Sequence, residues 1–269
     1  MRTTAARPLR FPSAQATPRA AARATAHLGR ALLLIAAMAR ALPHPAHWAR
    51  AAVVEAHRQI SDSFGLVVAV ALLGGALIAQ QTGVQFQGNL PSWVVGAIVA
   101  ASTITEVTPL FAGIMICGVV GTRIAAEIGA MRVTEQVDAL EVMDRDPVAY
   151  LVVPRTLGAV IAGPVLMAFA LAASLLAGWL TAVLVTRATS ADFWFGVRHY
   201  MRDFPLFFAL IKGVVFGGAI GLTASYCGLE AEGGSQGVGR ATRRAVVLMI
   251  VGIILLDVAL VPLLKWVRI

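Results

Sequence analysis

Three ionisable side chains fall inside long apolar stretches of the sequence. Glu106, Lys212 and Asp257 each lie in a stretch that is otherwise free of charged residues. An uncompensated charge at the centre of a bilayer costs about 2.5 to 3.5 kcal/mol on insertion scales, so each should face a cavity, a partner charge or the bundle interior. Lys212 can pair with Glu106 or with Asp257, and the sequence leaves both pairings open. A buried ion pair that only fixes helix register is the alternative role.

A second group of functional candidates lies in residues 121–147, the only long polar segment between apolar stretches. Its apolar residues recur at roughly helical spacing: Ile124, Ile128, Met131, Leu140 and Met143. This spacing predicts an amphipathic helix, or two short helices broken near Gly129. From Arg123 to Asp146 the segment has three Arg and six Asp or Glu, a net charge of −3. Because cytoplasmic loops are more often basic, an acidic one indicates docking to a protein. A solvated loop helix is the alternative.

Two glycine-rich patterns could indicate an enzyme. Residues 233–237 match a nucleophile elbow centred on Ser235, but they follow an apolar span instead of a strand and have no converging His and Asp. Residues 234–241 resemble a phosphate loop, yet Arg240 and Ala241 stand where Lys and Ser or Thr are required. No zinc-protease, Cys-x-x-Cys or complete Walker motif occurs in the sequence. We therefore predict no metal, no cofactor and no ATPase on this chain, and keep a hydrolase using Ser235 as an alternative.

The composition predicts the elements that hold these residues. Of the 269 residues, 58% are hydrophobic and 13% are charged, which is too apolar for a soluble domain. Residues 1–50 contain eight Arg and no acidic residue, whereas the remainder has 14 basic and 14 acidic residues. The net charge of +8 is therefore a tail and not a nucleic-acid-binding face. The sequence predicts an all-α polytopic membrane protein.

We expect a disordered basic tail or targeting segment at residues 1–27, an interfacial amphipathic helix at 28–58 and a membrane domain at 59–269. A bilayer core of about 30 Å requires about 20 apolar residues for each span. The predicted spans are residues 63–80, 91–120, 157–186, 204–227 and 245–266. The arginine-rich N-terminus lies inside by the positive-inside rule. Gly217 and Gly221 have the Gly-x-x-x-Gly spacing that permits close helix approach.

Part of the polar segment resembles a family signature. Residues 126–140, Ala-Glu-Ile-Gly-Ala-Met-Arg-Val-Thr-Glu-Gln-Val-Asp-Ala-Leu, are followed by Asp146-Pro147 and by Val153-Pro154-Arg155. This pattern is similar to that of the MlaE/YrbE family, permease subunits of ABC-type lipid transporters that work with MCE-domain proteins. Chloroplast lipid-import permeases belong to the same family. The resemblance extends from about residue 57 to the C-terminus.

The resemblance implies a homodimer that moves phospholipid between the inner membrane and a periplasmic MCE-domain carrier. It implies a separate ATP-binding cassette subunit that hydrolyses the ATP, and a small cytoplasmic regulatory subunit is a further expected partner. The polar segment would dock the ATPase through Arg123, Glu127, Arg132, Glu135, Gln136 and Asp138. An outward-opening lipid pocket between protomers would use Leu72, Leu73, Ile78, Phe86 and Trp93. The alternative for those five is ordinary packing or lipid-facing surface.

The chain departs from the family pattern at one intramembrane position. The family usually reads Arg-Glu-Leu-Gly-Pro where this chain has Thr105-Glu106-Val107-Thr108-Pro109. If the missing Arg balances the carboxylate in the family, Lys212 replaces it here or the site is neutral. Lys212 and Asp257 lie where the resemblance expects them. We expect a bacterial inner-membrane location, and the plastid inner envelope is the alternative. For the function, a non-transporting membrane anchor is an alternative.

Overall fold

The computed structural model describes residues 18–43, 45–85, 91–185, 188–201 and 205–266. Within these ranges the secondary structure is helical, with no strand. The α-helices are α1 (Pro18–Ala41), α2 (Pro45–Gln85), α3 (Trp93–Ser102), α4 (Thr108–Ile116), α5 (Thr122–Val133), α6 (Gln136–Val142), α7 (Val153–Val185), α8 (Ser190–Met201), α9 (Pro205–Leu229) and α10 (Gly234–Trp266). Three π-helical turns, Thr103–Val107, Cys117–Gly121 and Val148–Val152, continue the adjoining helices.

Five helical segments of the described chain are long and apolar enough to cross a membrane, which confirms the predicted all-α polytopic fold. They are span 1 (Ala49–Gln85), span 2 (Trp93–Val133), span 3 (Val148–Val185), span 4 (Leu206–Leu229) and span 5 (Gly234–Pro262). Spans 1 to 3 extend further than the sequence suggested at the ends predicted to be cytoplasmic. Charged residues on these extensions pair with one another.

The segment predicted as one interfacial helix, residues 28–58, is divided between two helices. The first, α1, ends at Ala41, and α2 begins at Pro45 and runs on into span 1. The helix α1 begins at Pro18, inside the segment predicted as a tail. Proline at the first position of α2 suits a helix start, because the missing N–H has no intrahelical partner there.

Glycines allow the spans to pack backbone to backbone. A Cβ atom added at Gly75 on span 1 would overlap the backbone of Ser174 on span 3. A Cβ at Gly217 on span 4 would overlap the carbonyl of Ala159, and one at Gly221 would lie 2.7 Å from Thr156 Cα. Small residues let the helix backbones approach closely, and the resulting dispersion contacts hold membrane bundles together. The predicted close approach at Gly217 and Gly221 therefore joins span 4 to span 3.

Residues 121–147 form two short helices, the first of which is the end of span 2, and the break differs from the predicted one. Gly129 lies inside α5, where it is buried beside Ala231 and Val238. The helix ends at Val133, Thr134 follows as its C-cap, and Glu135 adopts a left-handed conformation with φ 61°. The Glu135 N–H donates to the carbonyl of Arg132 at 3.3 Å. Gly129 therefore serves close packing, and the turn is made by Thr134 and Glu135.

The outer helix α8 is held against the start of span 2. The Ser92 hydroxyl donates to Asp192 Oδ2 at 2.8 Å. A Cβ at Gly96 would overlap the backbone of Phe193, so the two helices touch directly. The hydrogen bond from Ser92, together with one from Thr189, holds the pKa of Asp192 below its usual range.

Candidate functional site

The intramembrane charges are positioned by an irregular turn in span 2. At the π-helical turn Thr103–Val107, the N–H of Thr108 donates to the carbonyl of Thr103, five residues back. Pro109 has no N–H, so the carbonyl of Thr105, four residues before it, loses its usual helical donor. Turns of this kind are frequent at functional sites. The result is a free backbone acceptor beside Glu106.

Lys212 on span 4 fills this position and links three spans. Its Nζ lies 2.7 Å from Asp257 Oδ1 on span 5 and 3.2 Å from Glu106 Oε2 on span 2. It also donates to the Thr105 carbonyl at 2.6 Å. The ammonium group therefore donates hydrogen bonds to Thr105 and Glu106 and forms an ion pair with Asp257. The structure thus places Lys212 against both of the carboxylates between which the sequence could not choose.

The two carboxylates differ in their surroundings. The side chains of Lys212 and Asp257 are 4% and 9% exposed, whereas that of Glu106 is 46% exposed. The Lys212 ammonium group therefore contacts one buried carboxylate, Asp257, and one carboxylate at the surface of the chain, Glu106. We name Glu106, Lys212 and Asp257 the intramembrane triad. It can hold spans 2, 4 and 5 in one register and present a carboxylate at the bundle surface.

Two of the six residues assigned to ATPase docking lie instead in an ion cluster between spans 1, 2 and 3. Arg123 Nη2 is 2.7 Å from Glu55 Oε1, and Arg123 also contacts Asp62. Glu127 receives Arg58 at 3.0 Å and Arg155 at 3.4 Å. The side chains of Arg123 and Glu127 are largely buried. They join the neighbouring ends of spans 1, 2 and 3.

The other docking candidates lie on or next to α6, at the cytoplasmic tip of the chain. Glu135, Gln136 and Asp138 are exposed, and Arg132 forms an ion pair with Asp138. Two apolar side chains beside them are also exposed, Val142 by 87% and Met143 by 61%. We define the docking surface as Glu135, Gln136, Asp138, Glu141, Val142 and Met143.

The sequence analysis grouped Met143 with the apolar residues that recur at helical spacing, and it did not single out Val142. Val137 alone of the seven α6 residues is buried, so the short helix cannot shield its other apolar residues. Exposed apolar side chains rimmed by charge mark protein interaction sites. The break at Glu135, which rotates α6 away from α5, is the feature that the periodicity did not reveal.

Four of the five lipid-pocket candidates lie in the part of the chain that the structure describes, and they lie at separate places. Leu72 and Leu73 are exposed on span 1, and Ile78 packs against the core. Trp93 stacks edge-on with Phe195 and His199 of α8, with ring centroids 6.0 and 5.5 Å away. Phe86 lies outside the described residues. Leu72 and Leu73 remain available to an outward pocket completed by another chain.

Ser235 lies in an exposed turn at the start of α10. The preceding Gly233 and Gly234 have φ values of 82° and 68°, conformations that suit glycine. The hydrogen bonds formed by the described residues do not include one from Ser235 to a histidine or a carboxylate. The geometry favours a tight turn into span 5 over a catalytic nucleophile.

Comparison with known proteins identifies relatives over most of the chain. The family model described as Permease MlaE matches residues 53–263. A "Probable ABC transporter permease protein" of Rickettsia felis is 36% identical over 185 residues, 69% of this chain and 71% of the relative. A protein with the same description from Synechocystis sp. is 31% identical over 192 residues, 71% of this chain and 73% of the relative. Protein TRIGALACTOSYLDIACYLGLYCEROL 1, chloroplastic, of Arabidopsis thaliana is 31% identical over 166 residues, 62% of this chain and 47% of the relative.

Proposed function

Because the chain belongs to the MlaE permease family, we propose that it is the membrane subunit of an ABC-type transporter that moves phospholipid between the inner membrane and a periplasmic MCE-domain carrier. Its place as a multi-pass inner-membrane permease follows from the five spans and the bacterial relatives. The chloroplastic relative makes a plastid inner envelope compatible with the same fold. ATP is hydrolysed on a separate subunit.

The docking surface carries this proposal. It combines three carboxylates, Glu135, Asp138 and Glu141, with the exposed apolar pair Val142 and Met143. An ATPase subunit with a basic and apolar groove complements it. Movement of α6 reaches the membrane through α5, whose Arg123 and Glu127 are tied to spans 1 and 3. A closing motion of the ATPase therefore displaces three spans together.

The proposed outward pocket lies between two copies of the chain. Leu72 and Leu73 are exposed on span 1, and a second protomer supplies the opposite wall for a lipid acyl chain. A higher affinity of the ATPase for one of two arrangements of the spans shifts the population toward that arrangement. The periplasmic carrier then receives or delivers lipid at the outer face, and a small regulatory subunit binds on the cytoplasmic side.

Co-purification from native membranes in a mild detergent tests this proposal. The wild-type chain is compared with Glu135→Lys/Asp138→Lys, and mass spectrometry identifies the bound proteins and lipids. We expect the wild type to retain an ATPase and phospholipid, and the variant to lose the ATPase alone. Arg243→Glu, a charge reversal at an exposed position of α10 outside the docking surface, is the control and should retain both. A wild-type chain that purifies alone and without lipid refutes the proposal.

Two variants separate the proposal from the alternatives. If the chain only anchors soluble partners, Glu106→Gln should leave the cellular phenotype unchanged, whereas a permease should be impaired; the Glu106 side chain is 46% exposed, so its substitution disturbs the fold less than that of Lys212. If the chain is a hydrolase, Ser235→Ala should abolish activity while assembly persists. The permease proposal expects little effect from that second substitution.

A further inference from the structure

Two adjoining cavities lie on the cytoplasmic side, between α1 and the neighbouring ends of spans 4 and 5. The first, about 660 Å³, is lined by charged groups that include Arg30, Glu230 and Arg244. The second, about 520 Å³, has an almost entirely apolar lining that includes Leu222 and Leu248. Four residues line both cavities: His27, Leu34, Tyr226 and Arg244. We call the first the charged chamber and the second the apolar slot.

Two arginines converge on one glutamate in the chamber. Glu230 is 2.8 Å from Arg30 and 3.2 Å from Arg244, and it accepts the Tyr226 hydroxyl at 2.7 Å. His27 Nδ1 lies 3.3 Å from the same carboxylate. The lining also contains Glu232 and Arg132, and Arg132 is paired with Asp138 outside it. Two arginines that share one carboxylate leave room for a further anion.

The slot lies at the depth of lipid acyl chains. Leu248 is one helical turn beyond Arg244 toward the membrane centre, and Leu222 is two turns inside the cytoplasmic end of span 4 at Leu229. On α1, Leu32 and Leu33 are exposed, as expected for a helix that lies at the boundary between headgroups and hydrocarbon. The charged chamber is therefore at headgroup level and the slot is beside it in the inner leaflet.

We propose that the chamber and the slot together bind one anionic phospholipid of the cytoplasmic leaflet. The phosphate lies against Arg30 and Arg244, which form charge-assisted hydrogen bonds with it. One acyl chain fills the slot and joins α1 to spans 4 and 5. A free phosphate would leave the slot empty, so an amphiphile fits better. This site is on the face opposite to the outward pocket, and it binds lipid whether or not the chain transports it.

Native mass spectrometry of the detergent-purified chain, with its co-purifying partners, tests this inference. Phosphatidylglycerol and phosphatidylcholine of equal chain length are titrated, and bound lipids are counted. Arg30→Gln should weaken phosphatidylglycerol binding about fivefold, the effect of one basic residue facing an anionic lipid. The matched control is Arg243→Gln, because Arg243 donates to the Gly239 carbonyl of its own helix and does not line the chamber. The control should bind as the wild type does.

A second variant tests the slot without a change of charge. Ala31→Phe on α1 places a ring in the slot and should reduce retention of both lipids. Because α1 lies outside the five spans, both α1 variants should elute as the wild type does in size-exclusion chromatography. Equal phosphatidylglycerol binding by Arg30→Gln and Arg243→Gln overturns the inference. Displacement of the bound lipid by inorganic phosphate, with no effect of Ala31→Phe, also overturns it, because the chamber would then be a simple anion site.

Discussion

Substitution of Lys212 by methionine removes the central charge of the intramembrane triad while keeping an unbranched side chain of similar length. In the wild type, Lys212 Nζ contacts Asp257 at 2.7 Å, Glu106 at 3.2 Å and the Thr105 carbonyl at 2.6 Å. The substitution leaves two carboxylates near one another without a cation. It also leaves a carbonyl that Pro109 prevents from finding a helical donor.

The free-energy cost is set mainly by the buried carboxylate. Asp257 is 9% exposed and Glu106 is 46% exposed, so Asp257 bears most of the penalty. Removal of one member of a buried ion pair destabilises a protein by about 3 to 5 kcal/mol. For a chain of this size, each kcal/mol lowers the melting temperature by about 2 to 4 °C. We therefore expect Lys212→Met to melt roughly 6 to 20 °C below the wild type.

Intrinsic fluorescence during heating in a mild detergent measures this shift, since the chain has five Trp. Asp257→Asn in the Lys212→Met background should recover about half of the loss, because the buried charge is neutralised. Glu106→Gln in the same background should recover less. Arg198→Met, which removes an exposed cation from α8, is the control and should melt close to the wild type. A Lys212→Met chain that melts like the control, or a larger rescue by Glu106→Gln, refutes the reasoning.

Three further predictions use the same melting assay. Gly163→Val should destabilise the bundle by more than about 3 kcal/mol, because the valine Cβ would overlap the Gly213 carbonyl with no room to relax. A variant that melts at the wild-type temperature would contradict this prediction. Glu135→Gly should stabilise the chain by about 1 kcal/mol by relieving the left-handed φ of 61°, and unchanged melting would show that no strain exists. Ser92→Ala should raise the pKa of Asp192. A carboxyl group whose pKa is depressed by folding stabilises the protein above its unfolded-state pKa, and this contribution is lost as the pH falls through the folded-state pKa. The variant should therefore be less stable than the wild type at neutral pH and equally stable in acid. If the variant is still less stable than the wild type in acid, the loss of stability has another cause.

The number and order of the spans could be predicted from the sequence because long charge-free stretches must be helices in a bilayer. Gly217 and Gly221 likewise indicated a close helix contact that the structure contains. The cytoplasmic ends of the spans could not be predicted in this way. There, Arg123 and Glu127 look like surface residues on a helical wheel, and their burial depends on charges such as Glu55 and Arg155 that are distant in the sequence.

The triad illustrates the same division. Three isolated charges in apolar stretches predicted an interaction, but the choice of partner required the π-helical turn Thr103–Val107. That turn depends on Pro109 and on hydroxyl groups such as Thr103, which donates to the Val99 carbonyl at 2.6 Å. The helix propensities of neighbouring residues do not specify a π turn, because such a turn is stabilised by the group that binds its freed carbonyl. Here that group is Lys212, which is far away in the sequence.

ATP-dependent lipid movement by the complex purified from native membranes tests the central claim most directly. The complex is reconstituted in vesicles that contain a phospholipid with a fluorescent headgroup, and the accessibility of the label to an impermeant quencher is followed after ATP is added. We predict that the wild-type complex changes the accessible fraction only when ATP is hydrolysed, and that vesicles with the chain carrying Glu135→Lys/Asp138→Lys do not respond. A wild-type complex that hydrolyses ATP and leaves the labelled lipid where it was would contradict the account.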